Sequence, residues 1–224
     1  MGTIYRVGTR SSPLALIQVD EIFSRLRTAH PALKFSIVKI DTYGDIDKKT
    51  PISQVEGSDF FTREIDTALL NGDIDFAIHS AKDLPDTLPQ GICIAAITRP
   101  KCRHDALVSK GNLTLDQLKS GAVIGTSSIR RKTALKSYRP DLQIADIRGT
   151  IGERLTILDS SDMDAVIIAA CALERLGLEH RIAQRIPFEI LDPHPLQGAL
   201  AVTTRSSDAD LIGVMSAIDE MAKE

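Results

Sequence analysis

The sequence predicts an α/β protein built as two compact domains. Short β-rich apolar runs alternate with helical patterns along almost the whole chain. Two polar, proline-bearing stretches interrupt that alternation, and 224 residues at 43% apolar content can bury one large core or two small ones.

The elements follow in order. Tyr5 to Gly8 reads as a strand, and the next helix is well marked: Ser12 can cap it, Pro13 fits the first helical position, and Leu16, Val19, Ile22, Phe23 and Leu26 repeat at helical spacing. Strands are expected at Lys34 to Asp41, Phe76 to His79 and Ile92 to Ile97, with helices between them. The charged stretch Thr98 to Asp105 is a crossover. Beyond it come strands at Ala106 to Ser109, Ala122 to Gly125, Leu142 to Ile147 and Ala165 to Ala169, with a helix over Ile129 to Tyr138. The second crossover is Asp192-Pro193-His194-Pro195-Leu196-Gln197-Gly198. After it Leu200 to Thr204 returns as a strand to the first domain, and Leu211, Met215, Ile218 and Met221 line one side of a final helix. The domains are therefore expected at residues 1–98 with 198–224, and at 102–194.

Composition removes several function classes. A net charge of −3 and the lack of a basic tail argue against nucleic-acid binding by bulk electrostatics. Residues Met1 to Thr9 hold no signal-peptide core and no segment approaches a membrane span, so a cytoplasmic protein is expected. Cys93, Cys102 and Cys171 are far apart and odd in number, which suggests free thiols, with Cys93 and Cys171 buried in apolar runs. The five histidines share no ligand spacing, and no metal is expected.

What remains is local chemistry. His79-Ser80-Ala81-Lys82-Asp83-Leu84-Pro85 places one carboxylate among cationic and polar neighbours in a proline-bounded turn. Arg10-Ser11-Ser12 and Thr126-Ser127-Ser128 sit at helix starts, where unpaired backbone N–H groups and the helix dipole favour an anion. Arg130 and Arg131 are consecutive and cannot share a helix face, so one can reach a ligand while the other holds structure. His79 to Asp83, Gly125 to Ser128 and Arg148 to Thr150 all fall at strand carboxyl ends, the ligand side of open α/β sheets, and the expectation is a single interdomain cleft. One acid facing several arginines suits a substrate that carries carboxylates and passes through a cation.

These motifs resemble the porphobilinogen deaminase (hydroxymethylbilane synthase) family. The resemblance runs through Val7-Gly8-Thr9-Arg10-Ser11-Ser12-Pro13-Leu14-Ala15, the stretch from His79 to Pro85, Gly125-Thr126-Ser127-Ser128-Ile129-Arg130-Arg131, the stretch from Ile147 to Leu155, and Leu173-Glu174-Arg175-Leu176-Gly177-Leu178. It implies two periplasmic-binding-protein-like (type II) domains around an interdomain cleft, normally followed by a third small domain. It also implies tetrapyrrole biosynthesis by head-to-tail condensation of four porphobilinogen units with release of ammonia.

By the same matching, Asp83 is the catalytic aspartate. A dipyrromethane cofactor would be bound by Arg10, Ser12, Lys82, Thr126, Ser127, Ser128, Arg130, Arg131, Arg148 and Gly149. Substrate would be bound by Arg10, Arg148, Arg154, Arg175, Phe61 and Gln197. Arginine suits carboxylates because its planar fork binds them bidentately and stays charged. For Asp83 the competing reading is a turn residue paired with Lys82, and for Arg154 and Arg175 it is a solvated helix face.

The sequence also departs from the family. The third domain is expected to be absent, and none of Cys93, Cys102 and Cys171 matches the cysteine that anchors the primer. The primer is then held noncovalently or supplied with a separate third-domain polypeptide, or synthase activity is lost. The family's G-K-G-L-F reads Gly57-Ser58-Asp59-Phe60-Phe61, and its V-G-Q-G hinge reads Pro195-Leu196-Gln197-Gly198. Porphobilinogen is the expected small-molecule partner of a monomer, with a separate third-domain or pathway protein as a further candidate. The alternative is a noncatalytic module binding or sensing a pyrrole or small dicarboxylate. Such a module would need the arginines but would have little use for Asp83.

Overall fold

The computed structural model of the chain describes residues 4–47 and 58–221. It opens with β1 (Ile4–Thr9), α1 (Pro13–Ala29), β2 (Lys34–Lys39), a single turn α2 (Tyr43–Ile46), α3 (Arg63–Asn71), β3 (Phe76–Ser80) and β4 (Ile92–Ile97). Ser12 caps α1, its hydroxyl accepting from the Ala15 amide at 3.3 Å, with Pro13 at the first helical position. Val19, Ile22, Phe23 and Leu26 are buried against Val7, Phe76, Ile78 and Val202, each contributing about 1.5–3 kcal/mol. Phe23 also stacks on Phe35 of β2, centroids 4.3 Å apart. β2 stops at Lys39, short of the expected Asp41.

The chain then runs through β5 (Asp105–Ser109), β6 (Val123–Gly125), α4 (Ile129–Tyr138), β7 (Gln143–Ala145), α5 (Ile151–Ser160), β8 (Ala165–Ala169), α6 (Ala170–Arg175) and β9 (Gln184–Arg185). Leu107, Ile124, Leu135, Leu142, Leu115 and Ile167 form the centre of this second core. β9 is too short to leave a period in the sequence, and it pairs only through Ala106 with Arg185 and Leu107 with Gln184.

The last elements are β10 (Leu200–Arg205) and α7 (Ala209–Met215). The final helix is shorter than its apolar spacing suggests: a tighter turn follows at Ser216–Ile218, Leu211, Met215 and Ile218 are buried, and Met221 is left exposed. Among the described residues, one compact unit comprises 4–47, 58–101 and 198–221, and the other 102–197.

The two units share a topology. The first sheet has the order β2-β1-β3-β10-β4, with β1 parallel to β2 and β3, and β10 antiparallel to β3 and β4. The second has the order β7-β6-β8-β5-β9, with β6 parallel to β7 and β8, and β5 antiparallel to β8 and β9. In each sheet two adjacent parallel strands, β1 with β3 and β6 with β8, end at the same edge, where an open α/β sheet exposes backbone and helix starts to a ligand. Cys171 is buried, but Cys93 is half-exposed, because β4 is the edge strand of its sheet.

One buried charge bears on stability. Asp66 in α3 is 3% exposed, and neither carboxyl oxygen has a hydrogen-bond partner. Burial raises its pKa above the ordinary 3.8, the Thr62 hydroxyl opposes this, and the neighbouring Asp59 and Glu64 carboxylates add to it. A carboxyl raised in the folded state holds its proton more tightly there than in the unfolded chain. Its contribution is fully present below the unfolded pKa and is lost as pH rises through the folded value. Asp66→Asn is therefore expected to gain stability relative to the parent as pH rises from about 4 toward neutrality. Urea midpoints for the two proteins across that range should diverge; a constant difference would show that Asp66 does not titrate above its ordinary range.

Candidate active site

In the first unit, the carboxyl ends of β1 and β3 carry the two polar motifs. The Arg10 guanidinium lies against the Asp45 carboxylate, with Nε 3.1 Å from both carboxylate oxygens and Nη2 bonded to Oδ1. One face of that guanidinium covers the Phe61 ring, 4.6 Å from its centroid. Asp45 is held in turn by the backbone N–H and hydroxyl of Thr42, at 3.1 and 2.8 Å. Burial works to raise the Asp45 carboxyl, but the Arg10 bonds and charge, with those from Thr42, keep it below its usual range. Ser12 is spent on capping α1.

β3 ends in His79 and Ser80, and the turn Ala81–Asp83 follows directly. His79 is 6% exposed, and its Nε2 lies 3.1 Å from the Thr203 hydroxyl on neighbouring β10. Burial pushes its pKa down to about 4; the Asp83 charge pulls the other way and the Arg10 charge adds to the depression. The imidazole is thus neutral near pH 7. Gln18 of α1 donates to the Ser80 hydroxyl at 2.9 Å, which ties the helix to the start of the turn. Asp83 is partly exposed, and among the described residues its carboxylate makes no hydrogen bond or ion pair, with Lys82 or any other side chain. The carboxylate is therefore available to a ligand.

The acid that replaces lysine in the glycine-rich segment is neutralised where it stands. Asp59 is paired with Arg63 through two 2.8 Å bonds, which hold its carboxyl below the usual range against slight burial. Gly57 lies outside the described residues.

In the second unit, the β6 end and the segment after β7 are stitched together. The buried Ser127 hydroxyl donates to the Ile147 carbonyl at 2.7 Å and accepts from the Ile147 N–H at 3.0 Å. The Thr126 hydroxyl accepts from the Ser128 amide at 3.4 Å. Ser128 occupies the cap position of α4, but its side chain makes no capping bond, so the first-turn amides keep their anion affinity. Thr150 and Glu153 form a reciprocal capping box at the start of α5. Immediately before it Gly149 has φ +107, and a Cβ there would lie 2.7 Å from Glu153 Oε2. Gly149→Ala is expected to cost about 1–3 kcal/mol by forcing an unfavourable φ and displacing Glu153. A urea denaturation midpoint within error of the parent would contradict that.

The consecutive arginines part company. Arg130 is partly exposed and, among the described residues, has no hydrogen bond or ion pair. Arg131 is 9% exposed; its Nη1 donates to the Ile167 carbonyl at 3.1 Å and its Nη2 pairs with buried Asp105. Gln197 is also turned inward, its amide donating to the Arg103 carbonyl at 2.7 Å and to Asp105 at 3.1 Å. Direct ligand contact was expected of Arg131 and Gln197, but the bonds the structure gives them brace β5 and β8. Arg175 is 9% exposed, which excludes a solvated helix face, and Arg154 Nε donates to the Gly149 carbonyl at 2.9 Å. Arg148 is partly buried beside Gly149.

Sequence reading passed over Asp45, Thr42 and Asp105. The Thr42–Asp45 spacing is a capping pattern and could have flagged the first pair. Asp105 left no signal, because only its fold partner Arg131 gives it meaning.

Comparison with known proteins agrees with these placements. A family model described as "Porphobilinogen deaminase, dipyromethane cofactor binding domain" matches residues 5–213. A porphobilinogen deaminase of Syntrophomonas wolfei is 42% identical over 214 residues, covering 96% of this chain and 70% of that protein. One of Desulforudis audaxviator is 41% identical, covering 95% and 69%. Among solved structures, the methionine-binding protein MetQ superposes with TM-score 0.59 at 13% identity over 96% of this chain and 89% of that one. An amino-acid transporter substrate-binding protein of Streptococcus pneumoniae gives 0.54 at 16%, over 98% and 88%. These likenesses identify both units as type II periplasmic-binding-protein-like domains.

Proposed function

Because the chain belongs to the porphobilinogen deaminase family, we propose that it condenses porphobilinogen head to tail into linear hydroxymethylbilane, a step of tetrapyrrole biosynthesis. The observation that carries the reading is Asp83, an ionisable group in a turn at the end of β3 with its carboxylate committed to no other side chain among the described residues. Loss of ammonia from the aminomethyl group leaves positive charge spread over the pyrrole. A fixed carboxylate stabilises that charge and assists the proton transfers that accompany it. The buried His79 is neutral and so adds no cation beside Asp83.

Arg130, Arg148 and Arg10 are assigned to the acetate and propionate groups, with Ser128, Thr126 and Lys82 as supporting polar contacts and Arg154 and Arg175 at the margins. Ser12, Ser127, Arg131, Gly149, Phe61 and Gln197 support these groups through the contacts described above. Of the residues assigned to the dipyrromethane cofactor, Arg130 and the side-chain-uncapped start of α4 fit a group rich in carboxylates. When bound, that group supplies the nucleophilic pyrrole to which porphobilinogen is joined.

Among the described residues no helix is long and apolar enough to cross a membrane. The three free cysteines suit a reducing compartment, and we place the reaction in the cytoplasm.

Turnover is separated from binding by following ammonia and porphobilinogen together. The reading expects one ammonia released for each porphobilinogen consumed, whereas binding without ammonia release would leave a sensor or carrier.

A further inference from the structure

We propose that Asp45 is the positioning residue for Arg10, holding the guanidinium so that its Nη edge is turned to a substrate carboxylate. The inference rests on the reading above and extends it to a residue outside the arginine set. Arginine offers two bidentate edges, one formed by Nε with Nη2 and the other by the two Nη atoms. Asp45 takes the first: Nε is 3.1 Å from each carboxylate oxygen and Nη2 bonds Oδ1. Nη1 has no partner among the described residues, so the second edge remains for a ligand.

Three further contacts fix the plane. The Thr42 N–H and hydroxyl hold Asp45 Oδ2 at 3.1 and 2.8 Å, so the carboxylate cannot rotate away without losing both bonds. Phe61 supports the guanidinium face at 4.6 Å. Phe61 packs this closely because residue 44 is glycine: a Cβ on Gly44 would lie 2.4 Å from Phe61 Cδ1 and Cε1. The side chains of Arg10 and Asp45 are 27% and 20% exposed, so the pair is screened less than a surface ion pair. A preset fork lowers the ordering cost of binding an anion.

The rival idea is that Asp45 competes with substrate for Arg10, and the two predict opposite signs. Positioning predicts that Asp45→Asn raises KM for porphobilinogen about tenfold with kcat within about twofold, the pattern of lost uniform binding. Gly44→Ala, which displaces Phe61 without touching charge, should move KM the same way. In an Arg10→Ala background, Asp45→Asn should leave KM unchanged, because its effect passes through Arg10. A fall in KM, no change, or additivity with Arg10→Ala would overturn the proposal. If the parent protein turns over no porphobilinogen, the functional reading fails and the inference is still decided by NMR of the arginine Nε–H groups. A slowly exchanging Arg10 signal lost in Asp45→Asn upholds it, and one that persists unchanged refutes it.

Discussion

Asp83→Asn is expected to lower kcat by about 10²–10⁴-fold, the range for removing a positioned acid–base group. Porphobilinogen affinity should change by less than about threefold, because recognition is assigned to the arginines and asparagine keeps the shape of the side chain. Folding should be undisturbed: Asp83 is partly exposed and, among the described residues, holds nothing in place. Single-turnover ammonia release together with calorimetric binding separates the two quantities. A variant that binds weakly but turns over at the parent rate once saturated would move Asp83 from chemistry to recognition.

Arg130 carries the second large effect. Arg130→Ala is expected to weaken porphobilinogen binding by about ten- to a hundredfold, the loss of one charge-assisted interaction of about 1.5–3 kcal/mol. Arg130→Lys should recover only part of this, since it restores the charge and not the planar fork. Stability should be unchanged in both, because Arg130 is partly exposed and tied to no other side chain among the described residues. Arg131→Ala should behave differently. It would leave Asp105, 2% exposed, without its guanidinium partner, and the denaturation midpoint should fall before any binding is measured. Equal affinity losses with equal stability in the two variants would contradict this division.

Much of the fold was legible because strands and helix starts are local signals. Ser12 and Pro13 announced α1, and the apolar runs at Phe76 and Ala165 became the inner strands β3 and β8, where the neighbours on both sides bury them. What was missed depended on long-range partners. β9 has two residues and exists because β5 offers it an edge. Asp45 gains its role from Arg10, 35 positions away, and Asp105 from Arg131, 26 positions away. The arginine motifs could be found in the sequence, but which arginine turns inward could not, because consecutive residues differ only in the face they present once α4 lies on its sheet. The C-terminal spacing over Leu211, Met215 and Ile218 was real, yet the helix itself closes at Met215.

The central claim is that this chain joins pyrroles and does not merely hold them. Mass spectrometry of the products after incubation with porphobilinogen tests it most directly. The account predicts a linear tetrapyrrole, built from four porphobilinogen units, in the parent protein and its near absence in Asp83→Asn. Porphobilinogen bound and recovered intact from both proteins would contradict it.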